Sequence, residues 1–373
     1  MNVAFAVVGA GLAGAAVIES LLRHGVGASE ILWIDKTGVG GGASGAPGAM
    51  LNPLAGRSLQ MKSGEEQAFT YAYEWIRTRP NAASFCRALP VLRPLIPGFG
   101  ARQMSRSYQR NRTSLPTFLQ AQQYSSTQMR TLFPQITENQ GGLLFSPALC
   151  VAFEGLIRSV AHSVLKCGVT FVGETHLRTF HPHASERGWY VQCSSHSFRT
   201  QHLILAPGAG ITEVFPHLPL QITGGELMLA QPPLSRTMDV MISAGGYIIP
   251  ISSEQWVMGA THRHGKHQPE HSSTQVVQTL LEKAAALMPE LQHAKPLKTW
   301  FGARAIYSPD RMPLVGEVPG YPNLYVCTAM SSKGLLWSPW SAESLVQEIL
   351  CRQRKVPDSI RVERTEPKHW QRP

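Results

Sequence analysis

Val3-Ala4-Phe5-Ala6-Val7-Val8-Gly9-Ala10-Gly11-Leu12-Ala13-Gly14 decides how the rest of the chain is read. An uninterrupted apolar run ending in glycine predicts a strand buried on both faces, as in a parallel sheet. A helical pattern follows through Val17, Ile18, Leu21 and Leu22 to Gly25, and a second apolar strand, Ile31-Leu32-Trp33-Ile34, ends in Asp35. Strand, glycine turn, helix, strand and acid occur in the order of a dinucleotide-binding βαβ unit. Gly9 allows the tight turn, Gly11 lets the backbone approach a pyrophosphate, and Gly14 lets the helix pack on the strand. The pyrophosphate is expected on the free N–H groups of the helix start. Asp35, 21 residues after Gly14, is placed to accept both hydroxyls of an adenosine ribose. A 2′-phosphate would be repelled there, so FAD or NAD suits the site better than NADP.

The chain has 373 residues, 43% hydrophobic and 16% charged, which gives room for two domains or for one discontinuous domain with inserts. No apolar run reaches membrane-span length. No basic residue precedes the first apolar run and the fingerprint lies inside it, so it reads as a strand and not as a signal peptide. Cys86, Cys150, Cys167, Cys193, Cys327 and Cys351 are scattered without a CxxC pair, which argues against a disulfide framework or a zinc site and suits a cytoplasmic setting. A formal net charge of +10 points toward a polyanionic partner.

Beyond Asp35, the run Gly38 to Met50 is too glycine-rich for a helix and can fold N–H groups and the Ser44 hydroxyl around a phosphate. Residues 64 to 92 carry Phe69, Tyr73 and Ile76 at helix spacing. Between Pro94 and Pro147 the periodicity weakens. There Arg102, Arg106 and Arg110 recur every four residues, predicting one basic helix face, either simply solvated or a phosphate-contacting surface. Leu143 to Phe145 is an expected strand, Phe153 to Leu165 a helix and Gly168 to Val172 a strand. Leu203 to Leu205 forms a further buried strand leading into Ala206-Pro207-Gly208. Residues 220 to 300 are expected to be β-rich, with paired strands at Gly246–Pro250 and Gln255–Thr261 and a helix near Thr274 to Leu287. His262, His264, His267 and His271 follow no metal-ligand template. Strand, small-residue turn and helix recur from Leu324 to Leu350, where a helix N-terminus can favour an anionic group. The tail from Arg352 to Pro373 is basic and is expected to be poorly ordered.

Together the fingerprint with Asp35, Gly42-Ala43-Ser44-Gly45, Ala206 to Gly208, Gly246-Tyr247 to Pro250, Gly259-Ala260-Thr261 and the block Gly302 to Gly316 resemble the FAD-dependent amine oxidoreductases of the D-amino acid oxidase and glycine oxidase family. Within it, Ala43-Ser44-Gly45 and Ser331-Ser332-Lys333-Gly334-Leu335-Leu336 with Pro339 look most like the FAD domain of the bifunctional enzymes of tRNA 5-methylaminomethyl-2-thiouridine biosynthesis. Lys333 stands where that motif has arginine. The usual methyltransferase domain does not precede the fingerprint at residue 9, so a stand-alone form is expected.

The resemblance implies a Rossmann-like α/β FAD-binding domain, discontinuous over 1–93, 141–219 and 300–351. A β-rich substrate domain would occupy 94–140 and 220–299, and a basic tail 352–373. It implies FAD contacts from Gly9, Ala10, Gly11, Leu12, Ala13, Gly14, Asp35, Lys36, Gly42, Ala43, Ser44, Gly45, Val172, Ala206, Pro207, Gly208, Gly302, Ser332, Lys333, Gly334 and Leu335. Arg304 matches the family's substrate-binding arginine, whose planar fork would orient a glycyl carboxylate; Tyr247 and Lys333 complete the implied catalytic set. Implied activity is oxidation of a C–N bond with removal of a carboxymethyl group from a modified tRNA wobble uridine. Oxidation of glycine, sarcosine, proline or a D-amino acid is the alternative; a non-catalytic flavoprotein that binds RNA or a protein partner is another. The expected partners are an amine substrate and tRNA, with no DNA.

Overall fold

The computed structural model describes residues 2–183, 188–235, 237–265 and 273–371. His267 and His271 lie outside the described residues. At the centre of the first sheet, β1 (Asn2–Val8) runs parallel to β2 (Ile31–Ile34) on one side and to Ser197–Leu205 on the other. Thr170–Val172 continues the parallel sheet beyond β2, and Leu324–Thr328 continues it beyond Ser197–Leu205. Alternate residues of the central strands serve two cores. Val7, Ile31 and Trp33 face α1 (Leu12–Arg23), whereas Ala6, Val8, Leu32 and Ile34 pack toward Phe180, Trp189 and Phe198. Burial on both faces is why the run contains no polar alternation. Val17, Ile18 and Leu21 are fully buried on α1; at about 1.5–3 kcal/mol for each large aliphatic side chain, this stripe fixes the helix to the sheet.

A second, nine-stranded sheet is assembled from distant segments. Its longest ladder pairs Leu220–Gln231 antiparallel with Lys295–Tyr307, from Leu220 opposite Tyr307 to Gln231 opposite Lys295. Gly246–Pro250 and Trp256–Gly259 lie beside it, as the paired strands expected from the sequence. A small three-stranded sheet, Ala49–Leu51, Leu149–Val151 and Cys86–Ala88, sits beside the other two.

Several boundaries differ from expectation. The helix expected over 64–92 is α2 (Glu65–Arg77), followed by strands Cys86–Ala88 and Val91–Pro94. Pro80 accounts for the stop, because proline disfavours helical backbone at the residue before it and cannot donate to the helix. Gly142–Ser146, read with the 141–219 segment of the first domain, instead hydrogen-bonds to Val91–Pro94 and Gln120–Tyr124 in the second sheet. The limit drawn at residue 300 falls inside one continuous strand, Lys295–Tyr307. The tail is packed as far as Trp370: Ile360, Val362 and Trp370 are fully buried. Arg361 donates to Glu348 at 2.9 and 2.5 Å. Its short 3₁₀ turns have no apolar period long enough to read from sequence. Among the described residues no helix is long and apolar enough to cross a membrane.

Candidate FAD and substrate site

A cavity of about 1200 Å³ begins at the carboxyl ends of the parallel strands, where open α/β sheets bind ligands, and continues to the face of the second sheet. It exceeds the roughly 300–1,000 Å³ of ordinary small-molecule sites, as a dinucleotide together with a substrate requires.

At the dinucleotide end, backbone does most of the work. Gly9 has φ +113°, and a Cβ there would lie 2.2 Å from the Ala206 carbonyl oxygen. A Cβ on Gly14 would lie 2.0 Å from the Gly9 carbonyl oxygen. Only glycine allows strand, turn and helix to approach so closely. Gly11, Leu12 and Ala13 line the cavity, while Ala10 donates its N–H to Asp35 Oδ2 at 2.6 Å. The Leu12 N–H is not free, as the sequence suggested, but donates to Ser44 Oγ at 2.9 Å. Ser44 therefore closes the glycine loop over the helix start and keeps its own O–H available to a phosphate.

Asp35 is more occupied than expected. Its Oδ1 accepts the N–H groups of Thr37 and Gly38 at 2.7 and 2.8 Å and the Thr37 hydroxyl at 3.0 Å. Only Oδ2, with one partner, keeps capacity for a ribose hydroxyl, so one hydrogen bond replaces the two expected. Lys36 lines the cavity mouth and pairs with Glu213 at 2.9 Å. Val172 contributes its carbonyl, which accepts the Asp35 N–H at 3.1 Å; its side chain does not line the cavity.

Gly42, Ala43, Ala206, Pro207, Gly208, Ser332, Gly334 and Leu335 line the cavity as expected. Gly45 does not; a Cβ there would meet the Gly40 carbonyl oxygen at 2.2 Å, so it serves the loop's fold. Lys333 is the clear correction. Its ammonium pairs with the buried carboxylate of Glu65 and does not enter the cavity, because an uncompensated Glu65 charge would be costly there. Lys333 thus ties the start of the C-terminal helix Gly334–Cys351 to α2.

At the substrate end, side chains take over. Arg304, on Lys295–Tyr307, sits opposite Thr223, and its Nη2 donates to His262 Nδ1 at 3.0 Å. Among the described residues no carboxylate pairs with this half-buried guanidinium. Burial and Arg311 lower its pKa. Tyr247 lies opposite Gly259, where a Cβ would come 2.7 Å from the tyrosine ring. Burial pushes the Tyr247 phenol up to about 12, so it stays neutral and can donate or accept. Gly302 admits the Trp300 ring, which a Cβ would strike at 2.0 Å, and both residues line the cavity.

His262 was read only as part of a histidine cluster, and its position directly after Gly259-Ala260-Thr261 was the signal overlooked. Burial, then Arg304, Lys283 and His264, hold its pKa below the usual histidine range. Because a guanidinium can only donate, Nδ1 is the acceptor and the imidazole is neutral. Among the described residues this end of the cavity is therefore cationic without a protein counter-anion, suited to a carboxylate beside an amine. The residues present fit FAD at one end and an acidic amine at the other.

Comparison with known proteins agrees on the FAD-binding fold. The model of the DAO family, FAD dependent oxidoreductases, matches residues 4–348. The bifunctional protein MnmC of tRNA 5-methylaminomethyl-2-thiouridine biosynthesis from Maricaulis maris is 28% identical over 349 residues, which are 92% of this chain and 52% of that protein. This chain thus spans about half the length of that relative. Glycine oxidase of Pseudomonas aeruginosa is 27% identical over 177 residues, 44% of this chain and 48% of that enzyme. The fold matches the crystal structure of glycine oxidase from Geobacillus kaustophilus with a TM-score of 0.81 at 21% identity, covering 94% of this chain and 95% of that one. The chain belongs to the DAO family of FAD-dependent oxidoreductases.

Proposed function

We propose that this enzyme oxidises the C–N bond of a secondary amine bearing a carboxymethyl group, with a modified wobble uridine of tRNA as its preferred substrate, in the cytoplasm. The guanidinium of Arg304 at the cavity's cationic end, which has no carboxylate partner among the described residues, carries this reading. Its fork would hold the carboxylate bidentately, and the neutral His262 behind it limits rotation of the guanidinium. Orientation of this kind supplies much of the rate when two reacting groups must be held in register. Tyr247 offers a neutral hydroxyl beside the amine. Bound FAD supplies a hydride acceptor for the carbon next to nitrogen. The likeness to the MnmC protein over nearly the whole chain supports the carboxymethylated uridine over a free amino acid.

Nucleoside analysis of tRNA from cells lacking this protein tests the proposal. Accumulation of the carboxymethylaminomethyl form at the wobble position is expected. An unchanged nucleoside profile, with rapid oxidation of glycine or sarcosine by the purified enzyme, would replace it with the small-amine alternative.

A further inference from the structure

The positive charge of this protein is concentrated in one stretch. Residues 75–137 contain nine arginines, no lysine and no acidic residue, so they carry +9 of the formal +10. The rest of the chain balances to +1, with 25 Lys plus Arg against 24 Asp plus Glu. Four of the nine are used by the fold: Arg77 and Arg79 pair with Glu74 and Glu19, and Arg87 and Arg93 donate to backbone carbonyls. Arg102, Arg106 and Arg110 are different. They form one exposed row on α3 (Ala101–Asn111), whose opposite side buries Ala101, Met104 and Tyr108. Among the described residues none of the three has an ion-pair partner. Like charges four residues apart weaken a helix, so the row costs the fold stability with no ion pair among the described residues to offset it.

The row also lines a groove of about 430 Å³ with Ser58, Gln60 and Ser107. Its far wall is the loop 52–60, which faces two ways. Asn52 and Ala55 line the main cavity, whereas Ser58 and Gln60 line the groove. The loop is pinned to α3 and the second sheet: Asn111 Nδ2 donates to the Ser58 carbonyl at 2.8 Å, and Arg93 donates to the Leu54 and Gly56 carbonyls at 2.8 and 2.7 Å. One short loop therefore separates a cationic groove from the cavity that holds Arg304.

We propose that the α3 groove binds the phosphate backbone of an RNA whose modified base enters the adjoining cavity, an inference that rests on the tRNA reading above. Successive arginines on the row are spaced by about 6 Å along the helix axis, which lets neighbouring guanidinium groups take successive phosphates of one strand. Arginine forks suit phosphate oxygens better than lysine ammonium groups do. No large apolar side chain is exposed on α3, which disfavours insertion of this helix into a lipid surface. The groove also presents no aromatic platform, so it would position RNA while the cavity reads the base.

Fluorescence anisotropy of a labelled, unmodified tRNA transcript, titrated with flavin-loaded protein across a range of salt concentrations, tests this. The triple variant Arg102→Gln/Arg106→Gln/Arg110→Gln should lose about 2–3 from the slope of log affinity against log salt, at ~0.7–0.9 per phosphate contact. Its affinity at low salt should fall by at least about tenfold, with flavin content and oxidation of free amines unchanged. The corresponding triple lysine variant should retain most of the slope, and Arg158→Gln/Arg354→Gln, elsewhere on the surface, should leave it intact. An unchanged slope in the triple glutamine variant overturns the proposal. So does a loss confined to binding of phosphatidylglycerol vesicles. If the slope falls as expected but only free amines are oxidised, the groove stands and the substrate assignment fails. If the triple variant turns over modified tRNA as well as the parent, the groove fails and the substrate assignment stands.

Discussion

The two ends of the main cavity bind by opposite means. At the dinucleotide end the ligand would meet N–H groups, small residues and one carboxylate, Asp35, that is already braced by three backbone N–H groups. At the substrate end it would meet long side chains, Arg304, His262 and Tyr247, delivered by three strands of the second sheet or the turns beside them. A backbone site must be built by glycines at fixed spacing, and it fails when one gains a side chain. A side-chain site tolerates change in its scaffold but depends on individual charges.

That contrast predicts a graded series. The largest effect should come from Gly9→Ala, because even one methyl would lie 2.2 Å from the Ala206 carbonyl oxygen at a φ of +113°. Purified protein should be colourless, with flavin absorbance lost; a yellow Gly9→Ala protein would break the account of the backbone end. Arg304→Ala should keep its flavin and lose about 10²–10³-fold in kcat/KM for carboxylated amines, in line with the roughly 2–5 kcal/mol that follows loss of one partner from a buried charge pair. Steady-state kinetics with and without a carboxylate on the amine separates this from general damage. Asp35→Ala should weaken FAD by about 10–100-fold, since a hydrogen bond to a charged group is worth about 1.5–3 kcal/mol; equilibrium dialysis of the flavin measures it, and full retention would remove the acid from the ribose role.

The smallest effect concerns pH. His262 has a lowered pKa in the folded protein, so the unfolded chain takes up the proton first as pH falls below about 6.5. Its contribution to stability is thus present above that pH and is lost as pH falls toward the folded pKa. His262→Asn should flatten the decline of Tm below pH 6.5 slightly, and an unaltered decline would contradict the neutral imidazole beside Arg304.

The same contrast explains what the sequence made legible. Local patterns carried the βαβ unit: Val3 to Asp35 holds strand, turn, helix and acid within one continuous stretch, and the structure has these elements there in that order. The second sheet was visible only as a β-rich stretch and one local strand pair, because its longest ladder joins Thr223 to Arg304 across a long separation. Arg304 was found through resemblance, not through spacing. His262 was overlooked because its partner is 42 residues away. Lys333 was misplaced because nothing local announces its pairing with Glu65, 268 residues earlier. The tail was misjudged for a related reason: Trp370 is buried against Phe215, a contact that no local period encodes.

Anaerobic reduction of the flavin-loaded protein by tRNA carrying the carboxymethylaminomethyl uridine is the most direct test of the central claim. Rapid bleaching of the visible flavin band by the parent protein, slowed at least about a hundredfold in Arg304→Ala, is the predicted result. A flavin that remains fully oxidised with that tRNA, or that is reduced equally fast in both proteins, would contradict it.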